Sequence, residues 1–321
     1  MGDVLTREIG FVASTSADWT LMQTSFPLSI ILLTLGVSAS LFGKWQIRVG
    51  TRMSMALASV AFGGGLMLGS LGIHLHSLPL LYLGYGVLGG IGVGLSYTPP
   101  LQALIEWFPD KKGIASGLCI AGFGSGALVF TPLVESLMKQ YAKMPEYLGP
   151  ISNFATKVVD GRLYAEVDGK LVEVVEAGIK EIAKLPYDLS EGLYVVGSGS
   201  TGAAESLAIL GAGYFAVILA SSLCMVRPHP SYAPAGMVKP TVTIAAPEAL
   251  NLTLDAAVMT PQFHLLGVTL FGLAASGYGL FSVAKSMMSE ASARICEDIH
   301  SFAHTQLEWR RPAAQLTRRA P

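Results

Sequence analysis

The sequence predicts an all-α membrane protein, a multi-pass helix bundle that carries a small α+β insert on its outer side. Three observations lead there. Only 13% of the 321 residues are charged and 51% are hydrophobic, whereas an ordinary soluble domain is roughly one-quarter charged. The deficit is concentrated in long runs. No Asp, Glu, Lys or Arg occurs from Met53 to Ile105, and none from Gly113 to Val134. Finally, a polar stretch over 139–205 interrupts the apolar pattern with alternating residues typical of strands.

A helix needs about 20 apolar residues to cross the hydrocarbon core. Six segments meet that length, over 22–43, 53–73, 80–104, 113–138, 206–226 and 262–284. The charge-free run from Met53 is too long for one crossing and is cut by "HLHSLP" (His74–Pro79), a turn between two helices. Gly86, Gly90 and Gly94 recur every four residues, as do Gly113/Gly117 and Gly122/Gly126. Such spacing predicts seams where a second helix approaches closely.

Basic residues give the orientation. Lys44, Arg48 and Arg52 follow the first span, Lys111 and Lys112 the third, and Arg227 and Lys239 the fifth. These loops fall on one side, which is then the cytoplasmic side. "EWFPDKKG" reads as a tight cytoplasmic turn, with Pro109 ending one helix and Gly113 starting the next. The insert then lies outside. In it, "VVDGRLYAEVDGKLVEVV" places two Asp-Gly pairs between alternating apolar residues, a hairpin signal. "EVVEAGIKEIAKL" reads as a short amphipathic helix. The expected organisation is a polar segment 1–21, four spans over 22–138, the insert 139–205, a fifth span 206–226, a Pro-rich cytoplasmic linker 227–261, a sixth span 262–284 and a tail 285–321.

The chemistry of soluble enzymes finds no footing. "VVGSGSTG" (Val195–Gly202) has the form of a dinucleotide-binding turn, but the helix after it is a membrane span and no acid follows the span until Glu248. It reads as a flexible Ser/Gly lead-in. No phosphate-binding loop, zinc-protease motif or cysteine pair occurs, so neither a cofactor nor a metal is expected. His74 and His76 read as interfacial. A net charge of −1 gives no reason to expect nucleic acid. The expected surroundings are a lipid bilayer, by default the plasma membrane; oligomeric state is not legible.

Two loops narrow the reading further. "GKWQIRVGTR" has the spacing of the major facilitator loop signature, with Gly43, Arg48, Gly50 and Arg52 in place and Ile47 where the signature has an acid. "GIGVGLSYTPPLQALIEWFPDKKGIASGLCIAGFGSGAL", which contains Trp107, Phe108, Pro109, Asp110, Lys112 and Gly113, resembles the fourth and fifth helices of the oxalate/formate antiporter family. That family lies within the major facilitator superfamily and is itself similar to the monocarboxylate transporters. "RPHPSYAPAGM" resembles its cytoplasmic linker and "MTPQFHLL" the start of its seventh helix. The resemblance runs from about Trp19 to Met288 outside the insert.

The resemblance implies a secondary transporter of small carboxylates or related organic anions that works by alternating access. It places Tyr97 and Phe123 where the family tends to present a ring to its cavity. Tyr97 is the stronger candidate because its hydroxyl can donate to a carboxylate. Gln102, about one turn on, is a weaker polar candidate. The family has twelve helices in two halves. The first span here aligns with its second and the sixth with its seventh, so the resemblance implies a fragment without the first helix and the last five. The basic partners of a bound anion are expected on those later helices. "CEDIHSFAHTQLEWRRPAAQLTRRAP" does not resemble the family. The alternative is a non-transporting truncated membrane protein or a helix-bundle subunit that pairs with other chains. An intramembrane enzyme ranks last, since no catalytic pair is found.

Overall fold

A computed structural model describes residues 2–229, apart from 152–153, 155, 160–161, 168–169, 179–181, 183–186 and 188 in the insert, and also 232, 256, 258–269 and 271–272. The chain divides into two units, Met1–Lys239 and Pro240–Pro321. In the first, α1 (Gly2–Leu5) precedes the long helices α2 (Leu21–Val49) and α3 (Thr51–His74). A third rod follows from Leu78 to Trp107: α4 (Leu78–Leu81), a π-helical stretch (Tyr82–Leu88) and α5 (Gly89–Trp107). Next come α6 (Lys112–Tyr141), strands β1–β5 and α7 (Ala203–Cys224). Five of these rods, α2, α3, Leu78–Trp107, α6 and α7, are long and apolar enough to cross a membrane among the described residues. In the second unit, 261–269 is helical, covering the start of the predicted sixth span. The rest of that span over 273–284, most of the linker and the whole tail lie outside the described residues.

The predicted basic loop after the first span is not a loop. Helix α2 runs through Lys44 and Arg48 to Val49, and α3 begins at Thr51. Gly50 alone makes the reversal, at φ 90, a conformation that side chains oppose. The charged residues sit on helical turns at the end of the apolar stretch, and Arg48 in the last turn suits the negative end of the helix dipole.

Helix α3 is the axis of the bundle. In its most apolar stretch 50% of the residues are buried, against 0% in α6. The seam at Gly86, Gly90 and Gly94 is real. A Cβ at Gly86 would press on Ile30 at 2.9 Å, and one at Gly90 or Gly94 would overlap the hydroxyl of Thr34 or Ser38. Both helices advance four residues per contact in the same direction, so α2 and the third rod run parallel. On the far side of α3, Gly63 faces Gly211 and Phe215 of α7. Ser70 Oγ donates to the Ala204 carbonyl at 2.6 Å, giving an antiparallel pair. The second predicted seam differs. A Cβ at Gly113, Gly117, Gly122 or Gly126 would meet nothing within 4 Å. These glycines lie on α6, the most exposed rod, and do not form a packing seam among the described residues.

Proline inside a helix leaves the carbonyl four residues earlier without its donor. Pro27 does this to Gln23 in α2, and the Tyr82 hydroxyl donates to that carbonyl at 3.0 Å. Thr34 Oγ1 lies 3.1 Å from Gly86 O, in the π-helical stretch, and closer, at 2.8 Å, to the Ile30 carbonyl of its own helix.

Outside the helices, β1 (Tyr147–Gly149), β2 (Thr156–Val159), β3 (Arg162–Val167), β4 (Lys170–Ala177) and β5 (Gly192–Val195) form one antiparallel sheet in the order β1-β5-β4-β3-β2. Both hairpins predicted from the Asp-Gly pairs are present, with Val159 opposite Arg162 and Val167 opposite Lys170. The predicted amphipathic helix is corrected in its first part, because 173–177 continue β4, where Val174 and Ala177 are buried. Most of its remainder lies outside the described residues.

The N-terminal segment straps this sheet to the bundle. Phe11 and Val12 pack with Ala177 and Tyr194, while Leu5 and Trp19 pack with Leu66, Ile73 and Leu207. Asp18 holds the strap by accepting from the backbone N–H groups of Ile9, Gly10 and Thr15 at 2.8–3.2 Å. The ring of His76 stacks on Trp19 with centroids 4.4 Å apart. Val195–Gly202 is therefore an ordered junction rather than a loose lead-in: Gly197 N–H donates to the Ile9 carbonyl at 3.0 Å, and Ser200 and Lys143 exchange backbone bonds. Thr201 and Ser200 donate their hydroxyls to Glu8. Burial pushes the Glu8 carboxyl up, opposed by these two hydroxyls, with a smaller upward push from Glu205.

Two predictions follow from this packing. Gly90→Val should cost about 1–3 kcal/mol by overpacking, while Gly117→Val should stay within about 0.5 kcal/mol; thermal unfolding in detergent of both variants checks the difference. The second concerns Glu8. A folded value raised above the ordinary value of 4.5 means that the folded state holds its proton more tightly. The resulting stability is present in full below 4.5 and is lost as pH rises through the folded value. Melting temperatures across that range should fall for the native chain relative to Glu8→Gln as pH rises; a difference of the opposite sign would contradict the assignment.

Candidate functional site

The sequence "TPPL" places two prolines, Pro99 and Pro100, inside α5. They free the carbonyls of Leu95 and Ser96. The first is inward: Leu95 and Pro99 are each under 2% exposed. Its carbonyl accepts from Gln46 Nε2 at 3.4 Å and from Ser54 Oγ at 3.3 Å, side chains of α2 and α3. The opposite face of α5 meets α6 around a cavity of about 190 Å³, lined by Ser96, Tyr97, Pro100 and Leu101 on one side and Cys119, Ile120 and Phe123 on the other.

The structure thus brings Tyr97 and Phe123 together. Their rings meet edge to face, 5.6 Å between centroids and 84° between planes. This arrangement directs the positive rim of one ring at the face of the other. Polar groups in the lining are few: the Tyr97 hydroxyl, the Cys119 thiol and the Ser96 hydroxyl, which donates back to the Val93 carbonyl at 3.1 Å. The phenol can donate one hydrogen bond to a carboxylate or carbonyl of a ligand with a few heavy atoms.

Gln102 belongs to a different contact. Its Oε1 accepts from Arg227 Nη2 at 3.2 Å, near the C-terminal end of α5. Arg227, three residues beyond α7, also donates from Nε to Thr51 Oγ1 at 2.8 Å and lies 3.9 Å from Glu106 Oε2. Arg52 Nε donates to the Met225 carbonyl and Trp107 Nε1 to the Val226 carbonyl, both at 2.8 Å. The ring of Trp107 meets that of Tyr232 at 5.1 Å. This clasp ties the exit of α7 to the start of α3 and the end of α5. It separates the two loop motifs read from sequence. Arg52 and Trp107 join the clasp and Gly50 is the α2–α3 joint. Arg48, Phe108, Asp110, Lys112 and Gly113 are exposed, and Gly43 and Pro109 are half-buried. Thr51, Glu106, Gln46 and Ser54 carried no sequence signal of their own, and Arg227 entered only as a basic residue after the fifth span. The prolines give the freed carbonyl by counting back four residues, but not the helix that answers it. A second cavity, about 150 Å³, lies in the outer part between Ser14–Ser16 and the Arg162–Glu173 pair of the sheet.

With this geometry in hand, the relatives can be placed. Residues 5–142 match the Major Facilitator Superfamily. The match covers under half of the chain and contains α2, α3, the third rod and α6. The facilitator stretch contains Tyr97, Phe123, Gln46, Ser54 and Pro99. Among similar proteins, Apicoplast pyruvate carrier 1 of Toxoplasma gondii is 44% identical over 90 residues, 27% of this chain and 16% of that protein. The Oxalate:formate antiporter of Oxalobacter formigenes is 36% identical over 121 residues, 37% of this chain and 27% of that protein. Monocarboxylate transporter 13 of Rattus norvegicus is 33% identical over 117 residues, 35% of this chain and 26% of that protein. The matched part spans less than a third of each of these relatives. The facilitator match and the five apolar rods together indicate an integral, multi-pass membrane protein.

The clasp generates its own expectation. Arg227→Ala should destabilise the chain by about 1–3 kcal/mol, because it removes charged-group hydrogen bonds to two helices. Glu106→Gln should change stability by less than about 0.5 kcal/mol, since that pair is long and half exposed. Thermal unfolding of the two variants in detergent separates the contributions.

Proposed function

We propose that the chain is part of a secondary transporter for small carboxylates, incomplete as given, with the α5–α6 cavity on the substrate path. The observation that carries the reading is the cavity itself. It lies inside the facilitator stretch, its size suits a short-chain acid, and its lining presents the Tyr97 hydroxyl across from Phe123. The names of the three relatives, a pyruvate carrier, an oxalate:formate antiporter and a monocarboxylate transporter, support the same substrate class. In this reading Tyr97 donates to the carboxylate, and Phe123 holds the phenol ring and closes the apolar side around the short carbon chain. Gln102 acts away from the substrate, through Arg227, on the cytoplasmic clasp. Drive comes from exchange of one anion for another or from a cotransported ion.

The test is uptake of labelled pyruvate, oxalate, formate and lactate by proteoliposomes carrying the chain. Saturable uptake that preloaded unlabelled acid accelerates supports exchange. Tyr97→Phe should lower transport by about 10- to 100-fold, the worth of one hydrogen bond to a charged group. Uptake indistinguishable from empty vesicles for all four acids would overturn the reading in favour of a non-transporting bundle. We place the protein in the plasma membrane; co-fractionation with organellar membranes would overturn that placement, and the name of the Toxoplasma relative makes it the outcome to test against.

A further inference from the structure

Three helices meet at the carbonyl of Leu95. Pro99 removes the N–H that would close its helical bond, and the bilayer interior offers no replacement. The two donors that do reach it stand on either side of one corner, Gln46 four residues before Gly50 and Ser54 four residues after. The main chain ties this corner together. Gly50 N–H donates to the Gln46 carbonyl at 3.0 Å, and Ser54 N–H donates to the Gly50 carbonyl at 3.2 Å. Side chains and backbone thus form one unit, and that unit grips α5 at the point where its hydrogen-bond ladder is broken. The residues immediately after Leu95, Ser96 and Tyr97, form the cavity wall.

The geometry points to Gln46 and Ser54 as positioning residues for the α5–α6 cavity: they hold α5 at its proline break and so fix where Tyr97 stands against Phe123. Gln46 adds an independent sign. It is 3% exposed, and its Oε1 is buried with no hydrogen-bond partner among the described residues. A leucine would avoid that cost, so the useful part of this side chain is the amide N–H it gives to Leu95. The inference rests on the proposed transport path for its functional meaning, and not for its geometry.

The test uses a thiol already in the wall. Cys119 lines the cavity opposite Tyr97. In the full chain, Cys224→Ser and Cys296→Ser leave it as the single thiol of the original three. Its rate of reaction with N-ethylmaleimide in membranes then reports how α5 sits against α6. Gln46→Leu combined with Ser54→Ala should change that rate by about threefold or more, as expected for members of one hydrogen-bond network. Pro99→Ala supplies the missing N–H, because the alanine can donate to Leu95 along the helix. In that background the same two substitutions should change the rate by less than about 1.5-fold.

Equal effects with and without Pro99→Ala would overturn the inference, since the two side chains would then act by packing alone. So would no effect in either background. Should the double substitution fail to accumulate in membranes, Ser54→Ala alone removes one of the two donors and is read in the same pair of backgrounds. The labelling does not depend on transport. A chain that labels as expected but moves no carboxylate keeps the positioning role and loses the transport reading; normal transport with equal labelling effects does the reverse.

Discussion

A bilayer offers no hydrogen-bonding partner, so a carbonyl that a helix leaves unpaired has to be answered from within the protein. Much of the first unit follows from that constraint. Pro27 frees Gln23, and Tyr82 answers from the third rod. Pro99 frees Leu95, and Gln46 and Ser54 answer from α2 and α3. At Pro27 and Pro99 the break in one helix is thereby converted into a bond to another. The bundle is held at its defects as well as along its apolar faces, which in lipid supply packing but little hydrophobic drive.

Close approach makes those bonds possible. Side-chain hydroxyls and amides reach a backbone carbonyl only where the helices nearly touch, and the glycines at 86, 90 and 94 bring the third rod that close to α2. Thr34 shows how close the approach is: it occupies the space a side chain at Gly90 would need, and its Oγ1 lies 3.1 Å from the Gly86 carbonyl. Helix α6 has neither prop. Its glycines face nothing within 4 Å, and it meets its neighbours through rings, Phe123 with Tyr97 and Phe130 with Tyr214. The cavity lies along this looser seam, so one wall is locked to the core through Leu95 and the other is held by aromatic contact.

The sequence makes some of this legible and hides the rest for physical reasons. Spans were readable because hydropathy is a local property, and the hairpins because Asp-Gly fixes both turn and register. The reversal at Gly50 was hidden because charge marks the interface and not the end of a helix; Lys44 and Arg48 remain helical beyond the apolar stretch. The strand over 173–177 was hidden because a short alternation with helical neighbours fits either period until the pairing of Val174 and Ala177 against β5 decides it. The two glycine seams look alike in sequence, and only the presence of a partner distinguishes them. Tyr97 and Phe123 came from resemblance, and the structure sets them ring to ring. Gln102 shared their neighbourhood in sequence but not in space, because five residues along a helix turn it toward the α7 exit.

The clasp and the corner suggest how the two ends of α5 are coupled. At its C-terminal end, Gln102, Glu106 and Trp107 meet Arg227 and Val226. Arg227 also bonds Thr51, the first residue of α3, one position beyond Gly50. One turn further into α3, Ser54 bonds the carbonyl that Pro99 frees. The start of α3 therefore touches α5 on both sides of its proline break, directly through Ser54 and by way of Arg227 through Gln102. A rigid helix would make one of these contacts redundant. A helix interrupted at Pro99 and Pro100 needs both, because the segment bearing Tyr97 and the segment bearing Trp107 are not held to each other by an unbroken ladder. The α2–α3 corner therefore contacts both segments, one through Ser54 and the other through Thr51 and Arg227.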